Sequence, residues 1–123
     1  MVQRTETGEG GTPTMADAAD EHTAWQRTVE EVVAAWPGVR RKQVFGARAF
    51  IRGRAMFAFL TGAGVAVKAP SPAELDDLYS RPEVTPFTYN DMPMRGWPVL
   101  PLRSDDDIDD VLDRVRRAFE AVA

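Results

Sequence analysis

From about Asp20 the apolar residues recur at helical spacing, and Trp25, Val29, Val32, Val33 and Trp36 form one stripe that Pro37-Gly38 brings to an end. The period then shortens to two, which predicts strands over 41–44, 47–52, 55–60 and 65–68. Arg52-Gly53 separates the middle pair as the two-residue loop of a hairpin, because glycine accepts the positive φ such a loop requires. Thr61-Gly62-Ala63-Gly64 reads as the next turn. Ser71-Pro72-Ala73-Glu74 supplies an N-cap serine, a first-turn proline and a glutamate at the capping-box position, predicting a short helix to Ser80. Residues 81–96 hold three prolines, Asn90-Asp91 and isolated aromatics, the composition of a long loop with an extended piece around Phe87 to Tyr89. A last strand from Trp97 to Leu102 is confined to a sheet edge by Pro98 and Pro101. Ser104 then caps a terminal helix with the stripe Ile108, Val111, Leu112, Val115, Phe119 and Val122. Its acids come first and Arg114, Arg116 and Arg117 later, as the helix dipole favours.

These elements define an α+β domain. It has two layers: an antiparallel β-meander, flanking N- and C-terminal helices and one short inserted helix. Residues 1–19 are rich in glycine and threonine and poor in bulky apolar groups, which predicts a disordered tail ahead of a single domain over 20–123. At 123 residues and 44% hydrophobic, the chain can build one core. With the loop at Arg52-Gly53, the hairpin register puts Phe50 opposite Ala55 and Arg48 opposite Phe57. One sheet face then carries Arg48, Phe50, Phe57 and Phe59, the other Ala47, Ala49, Ile51, Met56, Ala58 and Leu60. Neither face is polar. Helices on one side leave the other needing a cover, and a homodimer is the simplest one.

Charge adds a second clue. The net charge is -4, yet between Val32 and Ala73 there is no acid and there are seven basic residues. Such segregation attracts an oppositely charged partner. Arg40, Arg41, Lys42, Arg48, Arg52 and Arg54, with Phe57 and Phe59, form the candidate partner surface. In one reading the phenylalanines stack on unpaired bases while the arginines hold phosphates. In the other the rings fill the core, the arginines reach the rim, and Arg40, Arg41 and Lys42 guard a sheet edge. A pI near 5.0 argues against a general nucleic-acid coat. Cysteine is absent, which removes disulfides and thiolate chemistry and suits a reducing cytoplasm. No signal-length or membrane-length apolar run occurs, so a cytoplasmic protein without a membrane partner is expected.

Catalytic parts are sparse. His22, at the junction of tail and first helix, reads as solvated. Ser71, Ser80 and Ser104 lack a glycine-flanked setting and a base, and Asp105 to Asp110 lack the glycine and glutamate of a calcium loop. Gly62-x-Gly64 lacks the third glycine of a dinucleotide site. Asp76 and Asp77 point to different helix faces. No catalytic residue, metal or cofactor is therefore assigned, and a non-enzymatic role is expected. The segment 81–97 remains a candidate pocket lid, with Tyr89, Arg95 and Trp97 as its residues. Met92 and Met94 either form an adaptable contact surface or tuck under that segment.

The chain resembles the TfoX N-terminal domain family, the first domain of TfoX/Sxy competence regulators, which also occurs alone. The likeness runs through Pro37-Gly38-Val39, the block from Val44-Phe45-Gly46-Ala47 to Met56-Phe57-Ala58, then Arg81-Pro82, Thr85-Pro86-Phe87 and Pro93-Met94-Arg95-Gly96-Trp97. It implies a two-layer α+β domain similar to type III secretion chaperones and YjbR-like proteins, and a binding or regulatory role through protein contacts. Val44-Phe45-Gly46-Ala47 stands where the family usually has Met-Phe-Gly-Gly, and Arg52 where it often has asparagine or aspartate. Full-length regulators continue into a helical second domain, which this sequence does not contain. The resemblance transfers no catalytic residues.

Overall fold

The computed structural model describes residues 15–44 and 46–122, with side chains described from Thr23 onward. Of the expected tail over residues 1–19, residues 1–14 lie outside the described residues, as does the His22 side chain, while residues 15–19 belong to a helix. Helix α1, Met15–Ala34, begins ahead of the start expected near Asp20. Val29 and Val33 are fully buried and Trp25 and Trp36 partly so, but Val32 stands 38% exposed and leaves the stripe. Gly38, at φ +79°, turns the chain into the sheet.

Strands β1 (Val39–Val44), β2 (Ala47–Arg52), β3 (Ala55–Leu60) and β4 (Gly64–Val67) form an antiparallel meander close to the expected boundaries. The expected register does not hold. The two-residue loop is Gly53-Arg54, with Gly53 at φ +64°, so Arg52 pairs with Ala55 and Ile51 with Met56. The register then shifts: Phe50 pairs with Ala58 and Ala49 with Phe59, leaving Phe57 as the extra residue of a bulge. Because a bulge resets the alternation, Phe57 joins Phe50 on the helix side while Phe59 goes to the opposite face. The two rings expected to share a face are therefore separated.

Helix α2, Pro72–Tyr79, forms as the capping signals predict, with the Ser71 hydroxyl accepting the Glu74 N–H at 3.1 Å. The expected long loop is instead a hairpin of β5 (Thr85–Tyr89) and β6 (Met92–Pro101). Its turn is Asn90-Asp91, both at positive φ (51° and 63°), the backbone that a two-residue I′ loop requires and that asparagine and aspartate tolerate. The sheet order is β1-β2-β3-β4-β6-β5, so β6 is an interior strand and not the expected edge. Its prolines are accommodated because pairing with β4 covers only Val99 to Pro101, while Pro98 faces Pro86 where the β5 ladder breaks.

Helix α3, Asp106–Ala121, presents Val111, Val115, Ala118 and Phe119 to the core. Ser104 does not cap it. The cap position is Asp105, whose carboxylate accepts the Trp25 indole N–H at 2.7 Å and so ties α3 to α1. Arg114, 9% exposed, joins α3 to α2 through Glu74 and, at 2.9 Å, Asp77. Burial alone would lower its pKa, but the bonds to those two carboxylates raise it. The result is an α+β fold with an open antiparallel sheet and flanking helices. Among the described residues no helix is long and apolar enough to cross a membrane.

Candidate functional site

All three helices contribute to the core on one sheet face, with Val29, Leu78, Val115 and Phe119 packed on Phe50, Phe57, Val65 and Leu100. The opposite face is also apolar, as the sequence pattern implies. Ala49, Phe59 and Ala66 are fully buried there and Val99 nearly so. Its cover comes from the chain itself. The step from Pro86↔Pro98 to Phe87↔Met94 leaves Arg95, Gly96 and Trp97 opposite one step of β5, a wide bulge in the hairpin. Phe87 and Trp97 then lie on Phe59, with ring centroids 4.8 and 5.1 Å away. The uncovered patch that motivated a homodimer is thus closed within one protomer.

This arrangement disperses the candidate pocket. Tyr89 sits at the hairpin tip, 44% exposed, and pairs across the strands with Met92, 68% exposed. The Arg95 guanidinium lies 4.6 Å from the centre of the Tyr79 ring, while the Tyr79 hydroxyl donates to the Arg95 carbonyl at 2.8 Å. Burial raises the Tyr79 pKa, with Arg95 opposing the shift. Trp97 is spent on Phe59. From that bulge Gly96 borders a cleft of about 320 Å³ shared with Lys68, Ser71 and Leu75.

The basic set divides in the same way. Arg41 and Arg48 both donate to one Glu30 oxygen, at 3.0 and 2.9 Å. Arg52 donates to the Phe119 carbonyl at 2.8 Å and lies 4.1 Å from the centre of that ring, where it closes the end of α3. Arg40 donates to the Gly53 carbonyl at 2.7 Å. Lys42 and Arg54 are exposed without a carboxylate partner among the described residues. Phe57 and Phe59 are both fully buried, so neither offers a ring to an unpaired base.

What the surface retains is a β1 edge with Arg40, Arg41, Lys42 and Gln43 exposed, and a hairpin tip with Tyr89 and Met92. The tip is a site that sequence reasoning left inside a loop. Its signal was Asn90-Asp91 flanked by Tyr89 and Met92, a turn pair between two extended segments. Among the described residues no group of three or more histidines, cysteines or acids is placed to hold a metal ion. No family model, curated protein or solved structure matches the chain.

Proposed function

We propose that this chain is a non-enzymatic binding or regulatory domain that acts through protein contacts, of the kind its resemblance to the TfoX N-terminal family implies. The observation that carries this reading is the Tyr89–Met92 pair. Two of the three exposed large hydrophobic residues among the described ones face each other at one hairpin tip. Tyrosine supplies contact area at low entropic cost and methionine adapts to an irregular partner, the composition of an interface anchor. The positive-φ turn fixes the backbone that carries both, so little backbone ordering remains to be done on binding.

A second reading rests on Arg40 and Lys42. They alternate with Arg41 along β1 and so share a sheet face, and both lack a carboxylate partner among the described residues. Such a pair suits a phosphate backbone. One experiment separates the two: affinity capture from native lysate with mass spectrometry, together with sedimentation of the purified chain. A specific protein partner, or a dimer near twice 13.6 kDa, that is lost in Tyr89→Ser/Met92→Ser supports the first reading. Salt-sensitive capture of nucleic acid that is lost in Arg40→Glu/Lys42→Glu and kept in the tip variant replaces it with the second.

A further inference from the structure

Where the start of β2 and the β3–β4 turn approach α1, a cleft of about 430 Å³ opens. That volume is within the range of small-molecule sites, about 300–1,000 Å³. Its walls divide by chemistry. Ala47, Leu60 and Phe87 supply apolar surface, and Arg48, Gln26 and Gly62 supply polar groups. The Gln26 amide nitrogen donates to the carbonyls of Thr61 and Gly64, the latter at 3.2 Å, which fixes the carboxamide and leaves its oxygen as an acceptor. Among the described residues no acid lines the cleft.

Beside the cleft the charges of the described residues do not cancel. Two guanidiniums, those of Arg41 and Arg48, converge on one oxygen of Glu30, so among the described residues this cluster holds two cations against one anion. Arg48 remains 42% exposed and borders the cleft. We infer that this is a binding site for a small monocarboxylate with an apolar body. The carboxylate would meet Arg48, whose planar fork suits it, and the body would lie along Leu60 and Phe87. An amide of the same shape keeps the apolar contact and loses the charge-assisted one. The site is separate from the hairpin tip and stands or falls independently of it.

Gly62 makes the idea testable without disturbing the fold. Its φ is outside the left-handed range, and a Cβ built there meets no atom within 4 Å. Gly62→Leu should therefore fill the cleft mouth and leave the thermal midpoint near that of the parent. The probes are benzoate and hexanoate against benzamide and hexanamide, followed by ligand-observed NMR and by backbone amide shifts of the labelled protein. Each carboxylate is expected to bind at least about tenfold more tightly than its amide, with shifts centred on Ala47, Arg48 and Gly62. Arg48→Gln should erase that preference, and Gly62→Leu should block both classes. Equal binding of acid and amide, no binding of either, shifts centred elsewhere, or a folded Gly62→Leu protein that binds normally would each overturn the assignment.

Discussion

The two faces of this sheet are buried by different means. On one, α1, α2 and α3 lay amphipathic stripes over Phe50, Phe57 and Leu100, with packed side chains arriving from several elements. On the other, four small or aromatic residues are sealed by Phe87 and Trp97, which belong to the same sheet and reach Phe59 from the β5–β6 hairpin. The first face depends on independent helices held by the core and by the Arg114 bridge to Glu74 and Asp77. The second depends on one hairpin keeping its bulge. An apolar sheet face therefore does not require a partner when a broken ladder lets an edge turn back over it.

The largest test of that contrast uses the two phenylalanines of β3, both fully buried and two positions apart. Phe57→Ala removes a ring that meets Phe119 at 5.5 Å and Phe50 at 6.4 Å, and should cost about 4 kcal/mol in a single cooperative unfolding transition. Phe59→Ala should cost about 3 kcal/mol, because the hairpin can settle partway into the space. The same substitution should raise hydrogen exchange in β5 and β6 while β1 to β3 stay protected. Equal costs with uniform loss of protection would mean that both faces unfold as one unit.

Legibility in the sequence follows the same division. The helix-covered face was readable because its determinants are local and periodic: the α1 stripe, the α3 stripe and the Ser71-Pro72-Ala73-Glu74 cap each lie within one segment. The outer face was not, because its cover depends on two bulges, at Phe57 and at Arg95-Gly96-Trp97, and a bulge leaves the residue pattern unchanged while altering every side chain beyond it. Hence Phe57 and Phe59 were placed on one face. Nor does the local pattern reveal what engages Arg48 and Arg52, which it assigns to a candidate partner surface: Glu30 and the Phe119 carbonyl lie on helices distant in sequence. The hairpin at Asn90-Asp91 is hidden by Pro86, Pro93 and Pro98: Pro86 and Pro98 are tolerated where the ladder is already broken, and Pro93 lies opposite Thr88 one pair from the turn-closing Tyr89↔Met92.

A smaller effect is expected at the seam between the regions. Gly64 opens β4 against Pro101 of β6, and a Cβ there would fall 2.1 Å from the Leu100 carbonyl oxygen and 2.8 Å from the Pro101 Cα. Those are backbone atoms on a paired strand, so relief requires the two strands to separate. Gly64→Ala should destabilise the protein by about 2 kcal/mol in denaturant unfolding, with exchange rising first along β4 and β6. Gly62→Ala, two residues earlier and facing open space, should be close to neutral. A neutral Gly64→Ala would show that β6 can shift against the meander without cost.

The smallest effect concerns the approach to α3, on the helix-covered side. Burial of the Asp107 carboxyl would raise its pKa, but the Arg103 side chain and backbone N–H, the latter at 2.8 Å, bring it below the ordinary value. A carboxyl with a lowered folded pKa stabilises the native state fully above its unfolded value, about 3.9, and loses that contribution as pH falls through the folded value. Stability should therefore decline across this acid range, and Asp107→Asn should flatten that part of the curve while lowering stability near neutrality. The bond to the Arg103 N–H fixes where the chain leaves β6 for α3, so exchange at Arg103 and Ser104 should rise in the variant while β5 and the hairpin tip stay unchanged. An acid limb as steep in Asp107→Asn as in the parent would show that the Asp107–Arg103 contact does not set it.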